Sequence, residues 1–362
     1  MRRFAACPGR AAGVFGRLLL GLALAACATA PAAPTTPAPV RELVLYNWAD
    51  YMPAELLAAF TAATQVPVRV VTYTSTEAAI AAIQAGLAFD VAVVDNDQLP
   101  VLVAGGYLAE IDLQRVPNFR NISPNFRDLA TDPANRHSVP FNWGTTGLLV
   151  RTDRVTAVPQ RWADLWDPAY AGRVCLRTQP VEVLSVALQA LGYRLDTDDP
   201  AELAAAAEQL RRLDATWIDT ADTPAGVRAC LDSAAALMVG WPADALEAQA
   251  RDPAVAYLLP ADGGFLWGDS LVIAAGSLSQ TAAEQFIDFV LRPAMSALVV
   301  ETYSYATANE AALALVDPAL LGDTALFPPR ADLERAHWYP PLSPLSQERF
   351  DEAWRQLTPA GP

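Results

Sequence analysis

The chain has 362 residues, of which 25 are basic and 40 acidic, and its formal net charge at pH 7 is −15. It contains no lysine, which excludes a phosphate-loop lysine, a Schiff-base lysine and a lysine general base. Only His137 and His337 are present, so a histidine-rich metal cluster is excluded as well, and we expect neither a metal nor a cofactor.

Residues 1–26 are typical of an export signal peptide. Four arginines precede the apolar run from Leu18 to Ala26, and this segment contains no acidic residue. The run is too short for a helix that spans a bilayer. It ends in Leu24-Ala25-Ala26-Cys27, which resembles the bacterial lipoprotein box, where the cysteine is lipidated and becomes the new N-terminus. We predict a lipid anchor on Cys27 and an extracytoplasmic location; an ordinary cleavable signal is the alternative.

Residues 27–40 form a tether rich in Ala, Pro and Thr. Proline fixes φ and removes hydrogen-bond donors, so we expect this segment to be extended and semi-rigid. Without the four arginines of residues 1–26, the rest of the chain has 21 basic and 40 acidic residues, a net charge of −19. Such a charge attracts cations and disfavours nucleic acid, while the length of the body predicts two lobes.

Strand and helix patterns alternate from residue 43 onward. In the first region we predict strands at 43–46, 68–71 and 90–94, and helices after Pro53 and from Thr76 to Ala85. A second region of the same kind begins near Gly147. Its predicted strands are 174–176, 236–239, 255–259 and 271–274, and its predicted helices are 182–191, 199–213 and 281–291. This order predicts α/β lobes with mainly parallel sheets and a ligand cleft at the carboxyl ends of strands.

Four short clusters bring aromatic and acidic or polar side chains together. They are Trp48-Ala49-Asp50-Tyr51, Trp241-Pro242-Ala243-Asp244, Trp267-Gly268-Asp269 and His337-Trp338-Tyr339. Carboxylates neutralise an ammonium group, and aromatic faces attract the cation while packing on methylenes. A single Trp is more often a core residue. However, three of the clusters place an Asp within three residues of a Trp, and this repetition favours a pocket for an extended diamine or triamine.

From about Leu43 to its C-terminus, the chain resembles the spermidine/putrescine-binding proteins of polyamine ABC importers. The matching segments occur in the family's order and are residues 46–53, 139–150, 162–173, 263–273 and 291–309. The resemblance implies a two-lobed periplasmic-binding-protein fold of type II that closes on a polyamine. It also implies ABC permease subunits as partners, a monomer, and no enzymatic activity.

The resemblance assigns ligand contacts residue by residue. Within the assignment, Asp269 matches the carboxylate that clamps an amine, and Trp241 with Asp244 matches the Trp-x-x-Asp of the putrescine-binding branch. The matching residues are Trp48, Asp50, Tyr51, Glu182, Trp241, Asp244, Trp267, Asp269 and Tyr305.

Three positions depart from the family's pattern. Asp95-Asn96-Asp97 replaces the usual Ser-x-Tyr, Gln179 replaces an Asp, and Tyr339 stands where a Gln can occur. The carboxylates are redistributed, so the identity of the amine stays open. We include Asp95, Asp97 and Tyr339 among the predicted ligand-binding residues, with a simple surface turn as the alternative for the two acids.

Cys175 and Cys230 remain once Cys7 is removed with the signal peptide and Cys27 is lipidated. Two thiols outside the cytoplasm are candidates for a disulfide, and some family members have a cysteine at the position of Cys175. The lobes are predicted as residues 41–145 with 271–315, and 146–270 with 316–362.

Three alternatives stay open for the function. An extracytoplasmic hydrolase would use Asp269 and Glu182 as acid and base, but it needs two carboxylates at a set spacing, whereas a cation receptor uses several. A binding protein for another solute, such as a sugar, an amino-acid derivative or a metal ion, is the second. A sensor subunit is the third, and the sequence does not separate sensing from transport.

Overall fold

The computed structural model describes residues 41–218 and 223–357, so the predicted signal peptide, Cys27 and the tether lie outside the described residues. The strands are β1 (Leu43–Trp48), β2 (Val68–Tyr73), β3 (Val91–Asp95), β4 (Ser138–Arg151), β5 (Val174–Arg177), β6 (Thr216–Ile218), β7 (Leu237–Gly240), β8 (Val255–Leu258), β9 (Phe265–Ile273), β10 (Ala306–Thr307) and β11 (His337–Trp338). The helices are α1 (Ala54–Thr64), α2 (Thr76–Gln84), α3 (Leu99–Ala104), α4 (Pro180–Leu191), α5 (Pro200–Arg211), α6 (Thr223–Asp232), α7 (Pro242–Arg251), α8 (Gln280–Val290), α9 (Pro293–Tyr303), α10 (Pro318–Leu321), α11 (Arg330–Leu333) and α12 (Pro344–Leu357).

The strands form a mixed sheet in the order β2-β1-β3-β9-β4-β7-β5-β6, with β8 and β10 on β4 and β11 on β9. At one end β1 runs parallel to β2 and β3, and at the other β5 runs parallel to β6 and β7. The long strands β4 and β9 pair with each other in antiparallel fashion. In addition, β4 is antiparallel to β7, and β9 is antiparallel to β3. Two parallel α/β halves are therefore joined through a central antiparallel pair, which is the type II arrangement that we predicted.

Local signals in the sequence place several helix ends correctly. The Ser75 hydroxyl accepts the backbone N–H of Ala78 at 3.1 Å and caps α2, and the Asp199 carboxylate accepts that of Ala201 at 2.8 Å and caps α5. Gly192 follows α4 with a φ of 76°, the left-handed conformation that glycine adopts without strain.

Several elements differ from the prediction. The sequence analysis predicts no strand over residues 138–151, where the structure has β4. All fourteen residues of β4 are buried, so it lacks the alternation that marks a strand with one exposed face. Strand β9 begins at Phe265 instead of residue 271, which places Trp267 and Asp269 inside a strand rather than before one. Helix α9, which the sequence analysis does not predict, begins at Pro293, since a proline is tolerated at the first helical position.

Each half of the sheet has its own apolar core. Around β1, β3 and β9, Phe60 of α1 meets Phe286 of α8 edge to face, with ring centroids 5.0 Å apart. In the other half Trp162 stacks on Phe265 at 5.1 Å, and its indole N–H donates to the Gly263 carbonyl at 2.8 Å. Burial of such aromatic side chains stabilises each half by about 1.5–3 kcal/mol per residue.

A disulfide joins Cys175 of β5 to Cys230 of α6 in the second half, with Cα atoms 6.4 Å apart and both side chains buried. Neither of the two described segments contains a helix with the length and apolar character needed to cross a membrane.

Candidate functional site

A cleft of about 1220 Å³ opens where the carboxyl ends of the parallel strands of both halves converge. All twelve residues that the sequence analysis singled out as ligand contacts line it. They are Trp48, Asp50, Tyr51, Asp95, Asp97, Glu182, Trp241, Asp244, Trp267, Asp269, Tyr305 and Tyr339. The structure thus brings residues far apart in the chain into one cavity; that each contacts a ligand stays a prediction.

The strand ends explain how these side chains meet. Trp48 is the last residue of β1 and Asp95 the last of β3. Trp241 follows β7 directly and precedes α7, and Glu182 lies in the first turn of α4, just after β5. Strands that run parallel deliver their following residues to the same edge of the sheet, so the cleft forms at that edge.

Strand β9 supplies the centre of the cleft. Side chains two residues apart in a strand point to the same face, so Trp267 and Asp269 both face the cavity. Gly144 of β4 lies directly beside Trp267, and a Cβ there would come within 2.2 Å of the indole ring. Only glycine at position 144 allows this indole to lie against the strand. Of the cluster at residues 337–339, Tyr339 alone lines the cleft.

Four aromatic rings form a continuous row along the cavity. Ring centroids of Trp241 and Trp267 are 6.3 Å apart, those of Trp267 and Tyr305 are 5.9 Å apart, and those of Tyr305 and Tyr51 are 4.8 Å apart. All three contacts are tilted or edge-to-face, the arrangement that aromatic pairs prefer. The row offers both apolar surface and negative ring faces over the length of the cleft.

A cluster of acids lies at one end of the cleft. Asp269 of β9 pairs opposite Asp95 of β3, accepts a hydrogen bond from the Tyr51 hydroxyl, and is 4% exposed. Thr76 donates to Asp95. Burial raises the pKa of Asp269 well above its ordinary value, and the neighbouring Asp95 raises that pKa further. Burial and Asp95 together raise the pKa of Asp97 to about 7. Burial and mutual repulsion therefore favour the protonated forms of Asp97 and Asp269.

Glu182 occupies the other end of the cleft. Its Oε1 atom accepts hydrogen bonds from the Thr146 hydroxyl at 2.6 Å and from the Trp241 indole N–H at 2.9 Å. Its Oε2 atom is buried and has no partner. Burial raises the pKa of Glu182, while the charge of Arg177 lowers it. A buried acceptor without a partner is costly, so Oε2 is a ready acceptor for a donor group of a ligand.

Asp244 lies in an environment that the sequence did not reveal. It accepts a hydrogen bond from Arg177, whose side chain is 1% exposed, and a second from the Trp241 backbone N–H at 2.9 Å. The Arg177 guanidinium also lies 3.9 Å from the centroid of the Trp241 indole ring. An internal cation therefore compensates the charge of Asp244 before any ligand arrives.

Sequence reasoning missed other residues at the cleft. Tyr73 of β2 packs against Trp48 in a tilted arrangement, with ring centroids 4.5 Å apart, and lines the cavity. Helix α12 returns along the cleft from the end of the chain and adds two acids. The missed acids are Glu77, Glu247, Glu348 and Asp351. Short polar signals at helix starts, such as Thr76-Glu77 after β2, were available in the sequence, but the position of α12 was not.

The chain belongs to the bacterial extracellular solute-binding protein family, whose model matches residues 55–328. The chain is 33% identical to the spermidine/putrescine-binding periplasmic protein of Salmonella typhimurium over 300 residues, which cover 82% of this chain and 86% of the relative. It is 33% identical to the protein of the same description from Escherichia coli, with 87% and 91% of the two chains covered.

A solved structure has the same architecture. The spermidine/putrescine ABC transporter substrate-binding protein of Streptococcus pneumoniae superposes with a TM-score of 0.75 at 27% identity, and the match covers 88% of this chain and 98% of that one. Proteins of this family serve as solute-binding components of transporters. The predicted family and two-lobed fold are confirmed.

Proposed function

We propose that this protein captures a polyamine in the cleft and delivers it to an ABC importer. One observation carries the proposal: ten carboxylates line the cleft, and within residues 41–218 and 223–357 no arginine or histidine does. The acids are Asp50, Glu77, Asp95, Asp97, Glu182, Asp244, Glu247, Asp269, Glu348 and Asp351. A cavity of this charge repels anions and concentrates cations.

The arrangement of the cleft suits an extended ligand with an amine at each end. One ammonium group meets the cluster of Asp95, Asp97 and Asp269, and another meets the unpartnered Oε2 atom of Glu182. Between these ends the aromatic row from Tyr51 to Trp241 packs on the methylenes and attracts their charged neighbours. Relatives that are 33% identical bear the description spermidine/putrescine-binding, and we extend that ligand class to this chain.

The alternatives fit the cleft less well. A glycosidase needs two carboxylates on either side of one bond, whereas ten line this cavity. An anionic solute would need a basic group at the cavity wall. A neutral sugar carries no positive charge to pair with the buried carboxylates. Those groups would have to stay protonated, because an unpaired buried charge is unfavourable. We therefore propose binding without catalysis.

The cellular setting follows from the sequence of residues 1–40. We propose that Cys27 carries a lipid, that the Ala/Pro tether holds a monomeric body outside the cytoplasm, and that the permease subunits receive the ligand there. We further propose that the lobes comprise residues 41–145 with 271–315, and 146–270 with 316–362, and that they close over the ligand.

A thermal-shift screen tests the ligand class. A ligand that binds only the folded state raises the melting temperature by mass action. We expect putrescine, spermidine or spermine to raise it in a concentration-dependent way, and sugars, amino acids and metal ions to leave it unchanged. A shift with a sugar or an amino acid, and none with any polyamine, would remove the proposal.

A further inference from the structure

Arg177 is a fully buried cation that lies beside the cleft without lining it. Its guanidinium lies 3.9 Å from the centroid of the Trp241 ring and donates to the Asp244 carboxylate. The Nε and Nη1 atoms are buried without a hydrogen-bond partner. Arginine is a cationic residue, so this site carries a positive charge.

The position of Arg177 makes the two ends of the cleft electrically unequal. Arg177, Asp244 and Glu182 together carry a formal charge of −1 when both acids are ionised. At the other end, Asp95, Asp97 and Asp269 carry a formal charge of −3 when they are ionised.

The contacts of Arg177 also limit which parts of the Trp241 side chain are available to a ligand. One face of the indole is already covered by a guanidinium, so the cation–π attraction of that face is used within the protein. The indole N–H is bound to Glu182 Oε1. At this end of the cleft, the unpartnered Oε2 atom of Glu182 remains as an acceptor for an ammonium group.

We propose that Arg177 is a resident counter-cation that limits the positive charge accepted at the Trp241 end and thereby sets the preference between diamines and triamines. It acts through Asp244 and Trp241 and is a positioning residue. The inference rests on the proposed function, because it concerns which polyamine the cleft prefers.

A set of charge variants tests the role of Arg177. Arg177→Met makes the Trp241 end more negative by one charge, Asp244→Asn makes it less negative by one, and the double variant restores the original sum. The quantity measured is the ratio of the dissociation constants of putrescine and spermidine. An added negative charge attracts a trication more than a dication, so we expect Arg177→Met to shift this ratio toward spermidine by about tenfold. We expect Asp244→Asn to shift it by a similar factor toward putrescine.

Controls separate charge from structure. Arg177→Lys should keep the wild-type ratio within about threefold, because it preserves the local charge, and the double variant should move the ratio of Arg177→Met back toward the wild-type value. Arg330→Met removes a charge at a side chain that is 91% exposed, and it should leave the ratio unchanged. If Arg177→Met does not fold, Asp244→Asn and Arg177→Lys still decide the question.

Three results would overturn the inference. If the variants weaken the binding of putrescine and spermidine by the same factor, the role of Arg177 is purely structural. A double variant whose ratio stays as shifted as that of Arg177→Met would show that the local charge sum does not set the preference. Binding of 5-aminopentanoate as tightly as putrescine would show that the free Arg177 donors receive a carboxylate of the ligand. If neither amine binds the wild-type protein, the proposed function itself fails.

Discussion

Asp95 and Asp269 lie directly opposite each other in the antiparallel pairing of β3 with β9. Like charges at such a pair destabilise a sheet, so the pairing disfavours ionisation of both carboxyl groups at once. Burial and the neighbouring Asp95 raise the pKa of Asp269, and hydrogen bonds from Tyr51 and Thr76 stabilise the pair. A bound ammonium group would neutralise the two carboxylates, so this pair favours the binding of a cation.

Removing the charge of Asp269 should have the largest effect of any single carboxylate substitution in the cleft. An ammonium left without its carboxylate in an enclosed site costs several kcal/mol. We expect Asp269→Asn to weaken polyamine binding by roughly two to three orders of magnitude, at about 1.4 kcal/mol per tenfold. Calorimetry measures the change. Asp198→Asn, an exposed position remote from the cleft, is the matched control, and equal affinities of the two folded variants would refute the assignment.

The raised pKa values predict how binding depends on pH. Burial and Asp95 raise the pKa of Asp97 from an ordinary 3.8 to about 7, so its carboxyl group must lose a proton before it pairs with an ammonium group. Affinity for putrescine should therefore rise as pH increases from about 5 to 8, by about tenfold per unit for each proton displaced. Calorimetry in buffers of different ionisation enthalpy should show proton release. Proton uptake, or affinity independent of pH, would contradict the account.

The raised pKa of Asp97 also predicts how the stability of the protein without added ligand depends on pH. Because folding raises the pKa of Asp97, the folded state binds more protons than the unfolded state between about pH 4 and 7. The stability that these protons contribute is complete below about pH 4 and is lost as pH rises through 7. Urea unfolding should give a lower free energy of unfolding at pH 8 than at pH 5. The difference between the two pH values should be smaller in Asp97→Asn.

The bond between Cys175 and Cys230 closes a loop across 55 positions of the chain. Loop-closure entropy predicts that it adds about 2–4 kcal/mol to the free energy of unfolding. Thiol titration of denatured, unreduced protein should detect neither cysteine, and replacement of both by serine should lower stability by that amount. Two reactive thiols would exclude the bond.

The central strands β4 and β9 are the natural places for a hinge, since they pair with strands of both halves. A ligand shifts an open/closed equilibrium by its differential contacts with the two states. Solution scattering with a saturating polyamine should give a smaller radius of gyration than without. An unchanged radius, together with proven binding, would contradict closure.

Much of the fold was accessible from the sequence, since β1, β2, β3, β5 and β7 are short apolar runs followed by clear turn or cap signals. The clusters at Trp48, Trp241 and Trp267 were visible because their aromatic and acidic residues are close in sequence. The pairing of Arg177 with Asp244 was not, because it joins residues 67 positions apart and requires the packing of β5 against β7. For the same reason, the acids of α12 carried no local signal.

The central claim is that the cleft binds a polyamine through its carboxylates, and titration calorimetry with putrescine and spermidine at pH 8 tests it most directly. We expect at least one of the two amines to bind with a dissociation constant of about 1 µM or lower, equivalent to about −8 kcal/mol, with one molecule bound per chain. No detectable binding of either amine to folded protein, at concentrations up to about 1 mM, would contradict the account.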